Sequence, residues 1–449
     1  MNSELRDFVM EQPLFSHHDH HCHFKDFEEE RLQYDAASLL GYACADLETA
    51  AGPKLHEQQS VREHIGTYWP KISTTGYGQA VTIGCKALFD LDYSADNFRA
   101  ITEKLQSTLS DRSAAEVYDY FVKDRANIKW VLQDGYFAPG NADLLPREMY
   151  PDYYRFAWRM DELFSITDAT PIELLERETG ITVHTLDHLV KAMNANIDKF
   201  IETGKLAAFK LGIAYSRDLV IGDPTSHESE LAFRRIRNRK SFHHGIQQNA
   251  GSVNALEARS LADYMIHRLL QRASDEDIPV QIHTGYLAGN WGSLAGTKAM
   301  HLLPVFEKYR QVRFDVFHAS WPWTSELGAI AKNYPNVYPD MCWVWAMNPT
   351  ESERTLAEWL DGVPFNKIFA FGADTGLPWC NVGYAIQARL GIARVLEEKV
   401  QKRFFSEATA KEVALAIMLK NGEEFHRVEP KKHVEQADTP DENSSSFRR

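Results

Sequence analysis

The chain has 449 residues, 44% hydrophobic and 12% aromatic, which is enough to bury a large core and excludes general disorder. A formal charge of −14 disfavours nucleic acid or an anionic membrane as the main partner. Five cysteines (Cys22, Cys44, Cys85, Cys342, Cys380) are scattered and lack CxxC spacing, residues 1–13 have no basic or long apolar stretch, and no apolar run approaches a membrane span. These features predict a cytoplasmic protein with no disulfide framework, signal peptide or membrane segment.

In chain order, eight apolar runs read as strands: 14–23, 129–134, 154–161, 206–215, 278–283, 312–318, 337–343 and 367–374. Several are short and are followed by Gly, Asp or Pro, as buried parallel strands are. Segments between most of them, such as "ARSLADYMIHRLLQRA", carry apolar residues at helical spacing. The alternation predicts an α/β fold, a distorted (β/α)8 barrel forming one domain over 1–427. Two connections are too long for plain loops. The first, about 27–125, reads as a helical insertion ("LQYDAASLLGYACADLETAAG", "SADNFRAITEKLQSTLS"). The second, about 216–260, contains the basic stretch "RRIRNRK", more often a solvated helix face than a binding patch. The polar tail, 428–449, is expected to be disordered.

Five of the runs carry a metal-binding or proton-moving side chain at or near their C-terminal ends, where barrels of this class place their active sites. The first ends in "HHDHHCH" and the fourth holds Lys210. The fifth ends at His283, the sixth at His318 and the eighth at Asp374. Strand alternation puts His21 and His23 on one face with Asp19 and His17, and His18 and His20 on the other with Cys22. Either HxH pair could chelate one ion. The later pair, His21 and His23, lies nearer the catalytic end and is favoured on that ground.

The segments "DHHCHF", "AFKLGIAY", "VQIHTGY", "NVYPDM" and "KIFAFGADTGLP" together resemble the amidohydrolase superfamily, within it the amidohydrolase-2 group of metal-dependent TIM-barrel hydrolases. The resemblance runs from about residue 14 to about 400, apart from much of the two insertions. It implies a divalent ion held by His21, His23, His283 and Asp374, one ion rather than two, with zinc the first expectation and manganese another. It also implies that Asp374 moves the proton of the attacking water and that His318 polarises the substrate. Lys210 would be either a carbamylated ligand of a second ion or a contact for a substrate anion.

Further substrate-binding candidates are Arg159 and Asp161 on the third run and Tyr286, Asn290 and Trp291 in the glycine-rich loop after His283. An ion pair is the structural alternative for Arg159, and a hydrogen bond within its own loop for Asn290. His17, His18 and His20 are read as structural or as supports of ligand histidines, and Cys22 as packing. The expected activity is metal-dependent hydrolysis of an amide, lactone or related bond in a small, anionic substrate. The alternatives are a metal-dependent decarboxylase, a uronate-type aldose–ketose isomerase and an inactive metal-binding protein. Barrels of this kind often assemble as homo-oligomers.

Overall fold

Seven of the eight apolar runs form one parallel sheet in a computed structural model, which describes residues 3–53, 60–134, 150–237 and 254–428 with the backbone of 242–243 and 247–248. The strands are β1 (Leu14–Asp19), β2 (Ile128–Asp134), β3 (Tyr154–Arg159), β4 (Leu206–Leu211), β5 (Val280–Ile282), β6 (Phe314–Val316) and β7 (Val337–Pro339). Each pairs with its sequence neighbour, so the sheet curls in chain order. β5 and β6 are buried throughout, as parallel strands covered on both faces must be.

The eighth run closes the curve. Its one ladder bridge joins Phe369 to Asp340, yet segment 369–375 hydrogen-bonds to both flanks. The Phe369 amide donates to the Pro339 carbonyl (3.1 Å) and the Trp343 amide to Gly372 (2.8 Å) on one side. On the other, the His17 amide donates to Phe371 (3.1 Å), Asp374 to His18 (2.8 Å) and His20 to Thr375 (2.9 Å). Asp374 therefore sits beside the opening histidines.

The described residues between β1 and β2 are largely helical, as expected of the first insertion. They include helices Ala43–Ala51, Val61–Ile72, Gly76–Phe89 and Phe98–Ser110. Gly76–Phe89 packs on Cys380–Gln401, the helix after the eighth strand. The pair crosses at Gly84 and Gly383, where a Cβ on Gly84 would come within 3.2 Å of the Gly383 Cα. The insertion is thereby seated on the barrel.

At the other end of the barrel, helix Asn421–His426 lies under the strands. Its Glu423 pairs with Lys129 (2.5 Å) and accepts from the Trp130 indole (2.9 Å). Phe15, Leu132, Ala157, Ala207, Ala208, Leu419 and Val428 make a small apolar cluster there.

Several strands end before the expected residue, β6 at Val316 rather than 318 and β7 at Pro339 rather than 343 among them. β1 stops at Asp19 rather than 23 because the His21 amide turns to the Gln133 side chain (3.1 Å), and the chain then enters helix Phe24–Glu30. Asp161 opens a short helix rather than ending β3, and residues 213–215 form a single tight turn after β4. In the basic stretch, Arg234 pairs with Glu230 and Arg237 with Glu176, both at the face of helix Ser226–Arg237. Its residues 238–240 and the tail from 429 lie outside the described residues. No described helix is long and apolar enough to cross a membrane.

Candidate functional site

The C-terminal ends of the strands bring together His18 from β1 and His20 just after it, Asp134 from β2, Arg159 from β3 and Lys210 from β4. His283, His318 and Asp374 join them from the segments following β5, β6 and β7. The His20 Nε2 is 3.2 Å and the His18 Nε2 3.6 Å from the Asp374 Oδ1. The His318 Nε2 is 3.7 Å from the Asp374 Oδ2 and 3.0 Å from the His283 Nδ1. The His18 Nε2 also faces the Asp134 Oδ2 at 3.6 Å and the Lys210 Nζ at 3.5 Å.

Three of the four imidazoles have a main-chain carbonyl on their outer nitrogen: the Asp134 oxygen for His20 (3.2 Å), Tyr286 for His283 (2.9 Å) and Cys342 for His318 (3.1 Å). A carbonyl only accepts, so each outer nitrogen carries the proton. In neutral rings, the inner nitrogens are then bare. The His283 and His318 lone pairs face each other at 3.0 Å, and the His20 lone pair faces a carboxylate oxygen at 3.2 Å. Such contacts repel unless a cation lies among them. Outer N–H groups held by carbonyls are also how proteins orient imidazoles toward a metal.

The residues present therefore fit a divalent ion. Two ligand atoms on a tetrahedral centre at Zn–N and Zn–O bond lengths lie about 3.3 Å apart, and the distances around Asp374 are 3.2–3.7 Å. Two imidazoles and a carboxylate are a donor set zinc and manganese accept. Among the described residues, His18, His20 and Asp134 form one group with ligand atoms mutually within 4.8 Å, and His318, Cys342 and Asp374 another.

Burial sets the electrostatics. It depresses the His318 pKa to about 4, with Lys210 adding to the fall against the pull of Asp374. Burial likewise holds His283 and His18 well below the usual imidazole range, reinforced by His318 and by Lys210 respectively. His20, with its side chain 21% exposed, goes the other way: burial lowers it, but the Asp374 hydrogen bond and the charges of Asp374 and Asp134 together raise it. Burial pushes the Asp374 carboxyl up, but His20 and His318 bring it below the usual value, leaving a carboxylate at neutral pH. Burial lowers the Lys210 ammonium, which rests 3.6 Å over the Phe317 ring.

The structure does not bring His21 and His23 to Asp374. The His21 Nδ1 bonds to the Tyr154 hydroxyl (2.7 Å) and its Nε2 to the Asn381 Oδ1 (2.9 Å), so both ring nitrogens are committed. His23 caps helix Phe24–Glu30 and pairs with Asp26 at 2.8 Å. His18 and His20 take the inward places because β1 ends four residues early and exchanges hydrogen bonds with the Asp374 segment. Strand parity permitted this pair, and only the bond from the Asp374 amide to the His18 carbonyl distinguishes it from the other.

Arg159 is locked between Asp134 and Asp161, 2.7 Å from each, and Asp161 accepts the Gly212 amide at 2.8 Å. Asp161 is thus a strut for Arg159 rather than a group free to meet a ligand. Tyr286 supplies its carbonyl to His283, and its ring stacks edge-on against Trp321. The Asn290 amide reaches the first insertion, donating to the Glu48 carboxylate (2.8 Å) and the Ala45 carbonyl (3.3 Å). Trp291 is 95% exposed.

Asp134 and Tyr42 were missed by sequence reasoning. Asp134 ends an apolar strand, the same signal used for His283. Tyr42 belongs to the insertion, and nothing in its sequence neighbourhood announces that its hydroxyl donates to the Asp374 Oδ1 (3.3 Å).

A cavity of about 510 Å³ opens onto the cluster, lined by His20, Tyr42, Arg159, Tyr215, Thr375 and Tyr384 among others. A larger one of about 720 Å³ adjoins it through Tyr215 and Ala288 and includes Trp291, but it lacks the histidine–carboxylate group. His318 (φ 60°), Trp343 (φ 68°) and Asp374 (φ 54°) all hold left-handed backbone. Non-glycine residues in this region are strained, and such strain gathers at functional sites.

Residues 226–411 match the sequence model of the family described as amidohydrolase, a span that includes His283, His318 and Asp374 but not the opening cluster. Protein fluG of Emericella nidulans is 26% identical over 250 residues. That match takes in 52% of this chain and 27% of fluG, so the chain spans about a quarter of the curated relative's length. Uronate isomerase from Thermotoga maritima superposes with a TM-score of 0.75 at 13% identity, over 94% of this chain and 96% of that one. Glucuronate isomerase from Caulobacter crescentus gives 0.73 at 14% identity, over 96% and 94%. At these identities the likeness shows the fold alone: the chain folds as a TIM barrel.

Proposed function

We propose that this amidohydrolase-fold chain is a metal-dependent hydrolase of small substrates, using one divalent ion, zinc or manganese, held by His18, His20, His283 and Asp374. The supporting observation is the turning of three imidazoles, each by a carbonyl behind it, so that the inner nitrogens of His20 and His318 stand 3.2 and 3.7 Å from the Asp374 carboxylate and that of His283 stands 3.0 Å from His318. A divalent ion in such a donor set supplies Lewis acidity and brings the pKa of water down to about 7.

The chain's own groups do the rest. Asp374, charged at neutral pH, accepts the proton of the attacking water on its carboxylate and returns it to the leaving nitrogen or oxygen. The Tyr42 hydroxyl, donating to the Asp374 Oδ1, fixes the carboxylate's orientation. His318, kept neutral, stands where it can polarise a substrate carbonyl. Arg159, with its side chain 26% exposed at the cavity, gives the mouth a positive edge that favours an anionic substrate. Lys210, buried beside His18, is a substrate-anion contact or a field source rather than a base in water.

The second reading is aldose–ketose isomerisation of a uronate, favoured by the superposition on two uronate-type isomerases along nearly the whole chain, insertion included. One experiment separates the two. The metal-loaded protein is assayed against a panel of amides and lactones and, in parallel, against glucuronate and galacturonate by NMR. Acid release from the panel, abolished in Asp374→Asn, supports hydrolysis. Uronate interconversion without acid release replaces it with the isomerase reading.

A further inference from the structure

One layer beneath the candidate site, inside the barrel, lies a second group of polar side chains: His17, Gln281, Asp315, Asp340 and His426. Strand register puts Lys210, Gln281 and Asp315 at one level, the layer preceding His283 and His318. All five residues are buried, none more than 5% exposed. The group is sealed by Phe369, whose ring stacks 4.2 Å from that of His17, and by Phe15, stacked 5.5 Å from His426. It is used by nothing in the proposed mechanism.

Its polar atoms are short of partners. The His17 Nδ1, His426 Nε2, Gln281 Oε1, Asp315 Oδ1 and Asp340 Oδ2 are each buried without a hydrogen bond. The outer nitrogen of His426 faces the Ala207 carbonyl (3.3 Å), so its inner nitrogen is bare in the neutral ring. The His17 Nδ1 is 3.7 Å from the Asp315 Oδ2 and 3.9 Å from the Asp340 Oδ2, and the His426 Nε2 is 3.8 Å from the Asp315 Oδ2. These separations are too long for direct hydrogen bonds. They are also short for a shared water, whose tetrahedral partners stand about 4.6 Å apart at ordinary hydrogen-bond lengths. Ligands of one tetrahedral ion stand about 3.4 Å apart, nearer what is found. A proton shared between Asp315 and Asp340 would leave both imidazole nitrogens and the glutamine oxygen unanswered.

We propose that His17, Asp315 and His426, whose ligand atoms lie within 4.8 Å of one another, form a second divalent-cation site, structural in role and suited to a zinc- or manganese-class ion, with the neighbouring Asp340 and Gln281 oxygens available as further donors. Its three ligands come from β1, β6 and the C-terminal helix Asn421–His426. The ion ties that helix into the barrel floor. Gly422, where a Cβ would stand 2.6 Å from the Phe15 ring and 2.8 Å from the His17 Nε2, lets the helix come close enough to deliver His426.

The test is zinc-edge anomalous diffraction from crystals of the full chain grown with zinc, together with metal content by mass spectrometry for wild type, His426→Gln and His20→Ala. The expected result is an anomalous peak among the His17 Nδ1, His426 Nε2 and the Asp315 carboxylate. The wild type carries one equivalent of zinc more than His426→Gln, and His20→Ala keeps the peak in the floor. A chelator lowers the thermal midpoint of His20→Ala but not of a His20→Ala, His426→Gln double variant. A peak at Asp374 with none in the floor overturns the second site while leaving the proposed function intact. A floor peak alone does the reverse. Equal zinc in wild type and folded His426→Gln also overturns it, and the wild-type map decides the matter if that variant does not fold.

Discussion

Replacing His20 and His21 one at a time separates ligand from strut, because the two neighbours carry opposite burdens. His21→Ala removes two buried hydrogen bonds, from the Tyr154 hydroxyl at 2.7 Å and to the Asn381 oxygen at 2.9 Å. Each is worth ~1 kcal/mol net and the abandoned Tyr154 hydroxyl costs ~1–3 kcal/mol more, while the Asn381 oxygen keeps its bond from the Thr375 hydroxyl (2.6 Å), so a loss of about 3–5 kcal/mol follows. His20→Ala gives up a 3.2 Å bond to a carbonyl and a 3.2 Å contact with the Asp374 carboxylate from a side chain 21% exposed, about 1–3 kcal/mol in the chelated protein. Metal binding should respond the other way. His20→Ala removes a direct ligand and should weaken zinc by more than the ~100-fold that losing even an outer partner can cost. His21→Ala should leave it nearly unchanged while folded. The assay pairs urea denaturation of the chelated proteins with zinc competition against a chromophoric chelator. Weakened zinc in folded His21→Ala or His23→Ala, with wild-type binding in His18→Ala and His20→Ala, would refute the assignment and restore the later pair.

Tyr42→Phe removes a 3.3 Å hydrogen bond to the Asp374 carboxylate, and kcat/KM should fall roughly 3- to 30-fold with zinc affinity kept, read by steady-state kinetics and metal titration. Gly212→Ala would drive a Cβ into Arg159 and Asp161; a stability loss of about 1–3 kcal/mol is expected from denaturant titration. In the chelated protein, the His318 pKa of about 4 against an ordinary 6.5 means the unfolded chain binds the extra proton. The native state therefore loses stability as pH falls from about 6.5 to 4, and a parallel series on His318→Gln should show a shallower fall over that window.

The barrel was legible because its strands are short apolar runs ended by polar residues, a pattern that survives without tertiary information. His283, His318 and Asp374 were legible by the same rule, and they do converge. The opening pair was not, since alternation says only that one HxH faces inward. The choice was made by where β1 stops, and that depends on the Gln133 side chain and on segment 369–375, distant in sequence. Arg159 looks the same on paper whether it is free or locked; only the positions of Asp134 and Asp161 decide it. The buried group around Asp315 could not be assembled from sequence either, because one of its members, His426, arrives from a helix beyond the last strand.

Among its described residues, the excursion between the first two strands meets the Asp374 carboxylate through Tyr42 and clasps the loop after β5 at Asn290. A single stretch of chain thus forms part of the cavity's wall and ties down the loop opposite. Which molecules enter can drift through changes in this stretch while the histidines and aspartate beneath stay as they are, so variants bred for a new preference should be sought between residues 41 and 48 before the barrel itself is altered.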